Sequence, residues 1–199
     1  MNEKMNKRLH GARRAKNHCA LLLIDFINDF DFPDGDVLAP RALAAARATA
    51  KLKKRARAAD VPVIYVNDNF GRWQSQFDQA VAHCMRRGCL GRAVAGTLKP
   101  LKHDYFVLKP RHSAFYLTPL PLLLEDLGVS ELILTGLLAD SCVLFSANDA
   151  YLRNLRVRVP PDCIAAIEDA HAEEALAYMR RALKADTRPG AEIEFGARR

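Results

Sequence analysis

Short apolar runs alternate along this chain with longer stretches of helix-favouring composition. Cys19–Ile24 (CALLLI) is apolar throughout, as expected of a strand covered on both faces. Pro33 and the Asp34-Gly35 pair mark a loop. Arg41 to Ala59 is rich in Ala, Leu, Lys and Arg without Gly or Pro, and predicts a helix. Val63–Asn67 reads as a second strand, about Gln76 to Arg86 as a helix, and Tyr105–Lys109 as a third strand. Leu120–Leu127 predicts a short helix closed by Gly128, whose freedom at positive φ suits a C-terminal stop. Glu131–Thr135 is a fourth strand, and Ser141–Arg153 a helix capped by Asp140 or Ser141. Arg156–Val159, His171–Lys184 and Glu192–Phe195 read as strand, helix and sixth strand. Such alternation predicts right-handed βαβ crossovers and a three-layer α/β/α sandwich around a mainly parallel, Rossmann-like sheet.

Length and charge refine this picture. At about 150 residues per domain, 199 residues predict one domain, here 17–199, behind a short arm. Most of the net charge of +7 sits in that arm: residues 1–16 carry Lys4, Lys7, Arg8, Arg13, Arg14 and Lys16 against Glu3. The arm reads as solvated and mobile rather than as a nucleic-acid contact, because the body has no basic stripe with interleaved aromatics. The longest apolar run falls far short of the ~20 residues of a membrane span. It ends at Asp25 without a small-residue cleavage site, a poor match to a signal peptide. Five irregularly spaced cysteines read as free thiols in a reducing cytoplasm. Cys84 and Cys89 beside His83 have no matching second half for a zinc site, and read as structural. No G-x-G-x-x-G follows the first strand, which disfavours dinucleotide chemistry.

Ligands of open parallel sheets bind beyond the carboxyl ends of the strands. Three reactive side chains fall there: Asp25 after CALLLI, Lys109 at the end of YFVLK, and Cys142 in the first turn after ELILTGLLAD. Singly, each reads as easily as a turn brace, a surface lysine or a packed thiol. Together they are a base, a cation and a nucleophile, the parts of covalent acyl transfer. A helix N-terminus at Cys142, with Lys109 nearby, predicts a sulfur biased toward thiolate.

The segments LLLIDFINDF (21–30), LKPRHSAF (108–115), LTGLLADSCVLFSANDAY (134–151) and VPPDCIAA (159–166) resemble those of the isochorismatase-like cysteine hydrolases, which include nicotinamidases and N-carbamoylsarcosine amidohydrolases. The resemblance implies a six-stranded sheet and a catalytic triad of Asp25, Lys109 and Cys142. It also implies a cis peptide at Leu137–Leu138 and an oxyanion hole formed by the backbone N–H groups of Leu138 and Cys142. It further implies a small-molecule substrate and a homo-oligomer, dimer or tetramer. Nicotinamidases bind a metal through Asp-x-His, whereas this chain reads Asp68-Asn69-Phe70. No metal or other cofactor is therefore expected. Isochorismatase itself cleaves a vinyl ether and lacks the cysteine. The expected activity is hydrolysis of a C–N bond in an amide or carbamoyl compound through a thioester. A catalytically silent binding or assembly protein, or ether cleavage, are the alternatives. Phe30, Trp73 and Phe115 are the expected substrate walls, with Phe145 a further aromatic and Asn67, Arg72 and His112 as candidate polar contacts.

Overall fold

The computed structural model describes residues 17–69 and 76–195. The N-terminal arm and residues 70–75, which include Trp73 and Arg72, lie outside the described residues. Six parallel strands form the sheet: β1 (Cys19–Ile24), β2 (Val63–Asp68), β3 (Tyr105–Lys109), β4 (Glu131–Leu137), β5 (Arg156–Arg158) and β6 (Ile164–Ala165). Their order is β3-β2-β1-β4-β5, and β6 also pairs with β4. The chain runs outward from β1 through β2 to β3, then returns to the other side of β1. The switch point between β1 and β4 opens a crevice at their carboxyl ends.

Helices cover both faces. On one side lie α1 (Gly35–Ala58), α2 (Phe77–Cys84) and α3 (Arg92–Thr97); on the other lie α4 (Leu120–Leu127), α5 (Leu144–Leu152) and α6 (Asp169–Leu183). β1 is buried at every position, so its alternate residues feed two separate cores: Ala20, Leu22 and Ile24 face α4–α6, and Leu21 and Leu23 face α1–α3. This explains the unbroken CALLLI run. The buried stripe of α1 (Ala42, Ala45, Ala46, Thr49, Leu52, Ala56) recurs at helical spacing. Its small side chains let the helix lie close to the sheet. Lys53 shares that stripe, and its Nζ is held by Asp104 Oδ2 at 2.8 Å and Tyr65 Oη at 2.7 Å. Among the described residues no helix is long and apolar enough to cross a membrane.

Several expectations need correction. α1 begins at Gly35 rather than Arg41, because Pro40 in its early turns costs one backbone donor on an exposed face. The helix expected from Ser141 with a side-chain cap is replaced by a π turn, Ala139–Val143, that leads into α5 with no side-chain cap. Its wide bond runs from Val143 N–H to Leu138 O (3.1 Å). The sixth strand is Ile164–Ala165, laid on the end of β4 at Gly136 and Leu137; residues Gly190–Glu192 form a 3-10 turn instead.

β4 runs two residues past its expected end through Gly136, at φ 131°. A Cβ there would lie 2.0 Å from Ile24 O of β1. Gly136→Ala meets both a disfavoured backbone and a main-chain wall. It is expected to destabilise by about 3 kcal/mol or more, lowering Tm by about 6–12 °C. Thermal unfolding followed by circular dichroism checks this, and an unchanged Tm contradicts it.

Candidate active site

Three strand ends meet at one edge of the sheet. β1 hands over to Asp25, whose N–H continues the ladder to Val66 O at 2.9 Å. Asp25 then turns into the left-handed region (φ 53°), which swings its carboxylate back over the strand ends. The Asp25 Oδ1 accepts the Asp68 N–H at 2.8 Å, and Oδ2 lies 2.9 Å from Lys109 Nζ. Lys109 pairs with Asp68 in the β2–β3 ladder, and its ammonium lies 4.0 Å from Asp68 Oδ2. The same ammonium donates to Cys142 Sγ at 3.4 Å. Lys109 is 0% exposed, whereas Cys142 in the π turn is half-buried. The three side chains singled out in the sequence are thus in mutual reach. The Leu137–Leu138 peptide just before the π turn is cis, as the resemblance implied.

Burial sets the electrostatics. It pushes the Asp25 carboxyl above the usual carboxylate range, and the Lys109 ammonium, by charge and by hydrogen bond, holds part of that rise back. Burial also works against the Lys109 ammonium, but Asp25 foremost and then Cys142 favour it, leaving its pKa above the ordinary value. The Cys142 thiol is pushed up to about 12, first by burial and then by the charge of Asp25, with Lys109 offsetting only part. The expected bias toward thiolate is therefore corrected. The sulfur lies inside a π turn, and the buried ammonium beside it is already matched by Asp25, with Asp68 Oδ2 at 4.0 Å. A thiolate would be a second anion without its own counter-charge.

Other contacts fix this geometry and were not foreseen. Ser146, fully buried on α5, donates to Cys142 O at 2.6 Å and accepts the Ala114 N–H at 2.9 Å. Ser113 donates to Asp149 Oδ2 at 2.5 Å, and Asp149 also holds Arg153 at 2.6 Å. These bonds tie the loop after β3 to the Cys142 turn, and they account for the polar positions in HSAF and FSAND. The carriers are paired hydroxyls whose partners lie some 32–36 residues away, a signal that spacing alone does not reveal. The tie sets His112 with Nδ1 3.7 Å from Cys142 Sγ and 3.4 Å from Ser141 Oγ, its ring stacked on Phe145 at 5.7 Å.

The expected aromatic walls are placed differently. Phe30 and Phe115 are each 3% exposed and belong to the two cores; Arg153 lies over the Phe115 ring, 4.8 Å from its centroid. Aromatics that flank a motif are packed here as its foundation. Trp73 lies outside the described residues. Phe145, half-exposed, is the aromatic beside Cys142 through His112. Asn67 is 1% exposed and donates to Ile27 O at 2.6 Å. His83, beside the cysteine pair, binds Asp29 at 2.9 Å. Among the described residues no group of three or more His, Cys, Asp or Glu side chains is placed to hold a metal ion. A hollow of 710 Å³ lined by Glu131, Arg156, Arg158 and Lys184 lies at the opposite end of β4, away from this chemistry.

Comparison with known proteins gives the context. The Isochorismatase domain matches residues 19–188. The uncharacterized isochorismatase family protein YaaI of Bacillus subtilis (strain 168) is 40% identical over 167 residues, covering 84% of this chain and 91% of that protein. Maleamate amidohydrolase of Pseudomonas putida is 28% identical over 162 residues, 77% of this chain and 74% of that protein. The crystal structure of N-carbamoylsarcosine amidase from Thermoplasma acidophilum covers 88% of this chain and 98% of that chain, at 31% identity and a TM-score of 0.69. With the domain match spanning all three strand ends and the Cys142 turn, the chain belongs to the isochorismatase family.

Proposed function

We propose that this protein is a cysteine hydrolase that cleaves a C–N bond of a small amide or carbamoyl compound through a thioester on Cys142. The observation that carries this is the buried Lys109 ammonium, 2.9 Å from the Asp25 carboxylate and 3.4 Å from the Cys142 sulfur. An amidase and an amidohydrolase among the relatives support the reaction class. Five free cysteines accord with a cytoplasmic enzyme, taken here as a homo-oligomer.

The raised thiol pKa shapes the first step. The proton leaves sulfur for Asp25 as sulfur bonds to the carbonyl carbon, so a free thiolate never has to persist. The carbonyl electron pair moves to oxygen, received by the N–H groups of Leu138 and Cys142. As the oxyanion collapses, the C–N bond breaks and the nitrogen takes its proton from Asp25. Lys109 stays cationic, keeps Asp25 ionised despite burial, and steadies the sulfur. Water then cleaves the thioester.

Cys142→Ala, assayed for ammonia or amine release over a panel of small amides and carbamoyl compounds, is expected to lose activity by about a thousandfold or more. Retention of activity by that variant overturns the mechanism. A second expectation concerns pH. Asp25 must be ionised to accept the proton, and its pKa is raised. Activity therefore falls with decreasing pH through a value above the ~3.9 of an ordinary aspartate. A kcat/KM profile, taken where circular dichroism remains native, checks this; full activity held down to about pH 4 contradicts it.

A further inference from the structure

The Cys142 sulfur has two sides of different character. The inner side is occupied by Lys109, which no solvent reaches, and by Asp25, whose side chain is 8% exposed. Lys109 and the Asp68 N–H hold the Asp25 carboxylate on that inner side. On the outer side stands His112, exposed to solvent, with Nδ1 3.7 Å from the sulfur. Phe145 backs its ring, and the Ser141 hydroxyl lies 3.4 Å from the same nitrogen. The neighbouring residues Ser113 and Ala114 are clamped to α5, so His112 is carried on an anchored turn.

Hydrolysis through a thioester calls on a proton acceptor twice, once for the thiol and once for water. Once an acyl group is on the sulfur and the amine has left, water enters from the open side. We propose that His112 is the base of this second half-reaction, an inference that rests on the cysteine-hydrolase reading above. The Nδ1 lone pair takes a proton from water while the water oxygen bonds to the thioester carbonyl carbon, whose electron pair moves to oxygen. On collapse the C–S bond breaks, the electron pair returns to sulfur, and the imidazolium proton passes to it. The carboxylic acid leaves and the thiol is restored. Nδ1 is the acceptor in this assignment, so Nε2 carries the resting proton. The Ser141 hydroxyl is a second contact for the incoming water. His112 is thereby a catalytic residue in its own right, on the solvent side of the sulfur.

p-Nitrophenyl acetate tests this without knowledge of the natural substrate, because its leaving group needs no proton and only removal of the acetyl group calls on His112. His112→Phe keeps a ring against Phe145. In that variant a stoichiometric burst of p-nitrophenolate is expected to persist, with later turnover slowed about a hundredfold. Intact-mass analysis should show the acetyl group on Cys142 lasting about a hundredfold longer than in the wild type. Imidazole added to His112→Ala should speed release of that acetyl group, which a purely structural role would not allow. Turnover of His112→Phe at the wild-type rate, with an acetyl group no longer-lived than the wild type's, overturns the assignment of His112 alone. Absence of a Cys142-dependent burst in the wild type, judged against Cys142→Ala, overturns the cysteine reading and this inference with it. A slowed burst with an adduct no longer-lived than the wild type's also overturns it, placing His112 in the first half-reaction.

Discussion

A lysine ammonium shut away from water is among the most expensive groups a fold can hold unless it is matched by charge and hydrogen bonds. Lys109 is such a group, and the site is organised around matching it. It ends β3, two strands from β1 in the order β3-β2-β1-β4. With strands about 4.8 Å apart, only a long side chain spans β2 to reach the carboxylate that follows β1. Asp25 meets it because a left-handed backbone turn carries that carboxylate over the strand ends, and the Asp68 N–H takes its second oxygen. Cys142 supplies a third partner from beyond β4. The ammonium thus draws together three segments that are far apart in the chain.

The same constraint governs the chemistry. One cation held by Asp25, with Asp68 also at 4.0 Å, leaves no charge for a resting thiolate, and burial pushes the thiol up further. In the proposed mechanism such a site stores its proton on sulfur and moves it only when a substrate carbonyl is there to take the electron pair. The π turn sets the sulfur half out of the protein while its neighbours Ala139 and Val143 stay buried. The hydroxyls of Ser113 and Ser146 then bind the β3 loop to α5. Inner and outer faces of the sulfur consequently differ, one dry and charged, the other open and aromatic.

Much of this was legible in the sequence, for physical reasons. Strands buried on both faces write unbroken apolar runs, so β1, β2 and the start of β4 stood out, and Gly128 marked the end of α4 by its left-handed φ of 68°. Asp25, Lys109 and Cys142 were visible because strand ends in a parallel sheet converge. Other features leave no such trace. A π turn depends on which carbonyl Val143 selects, and a two-residue strand such as Ile164–Ala165 is too short to repeat any pattern. α3 covers six residues including Gly96, too few for an amphipathic stripe. Phe30 and Phe115 flank the motifs in sequence yet point into the cores, since proximity along the chain does not say which face a side chain takes. The acidity of Cys142 was misjudged because it is set by burial, which the sequence does not display.

The central claim is that Lys109 and Asp25 exist as one buried pair rather than as two independent groups. A double-mutant cycle on folding stability, combining Asp25→Asn and Lys109→Met, measures this directly. Each single change is expected to cost about 3 kcal/mol or more, because it strands the other group in a dry site, while the double variant is expected to lie closer to the wild type than the summed costs. Additive losses, with no coupling between the two positions, would contradict the account.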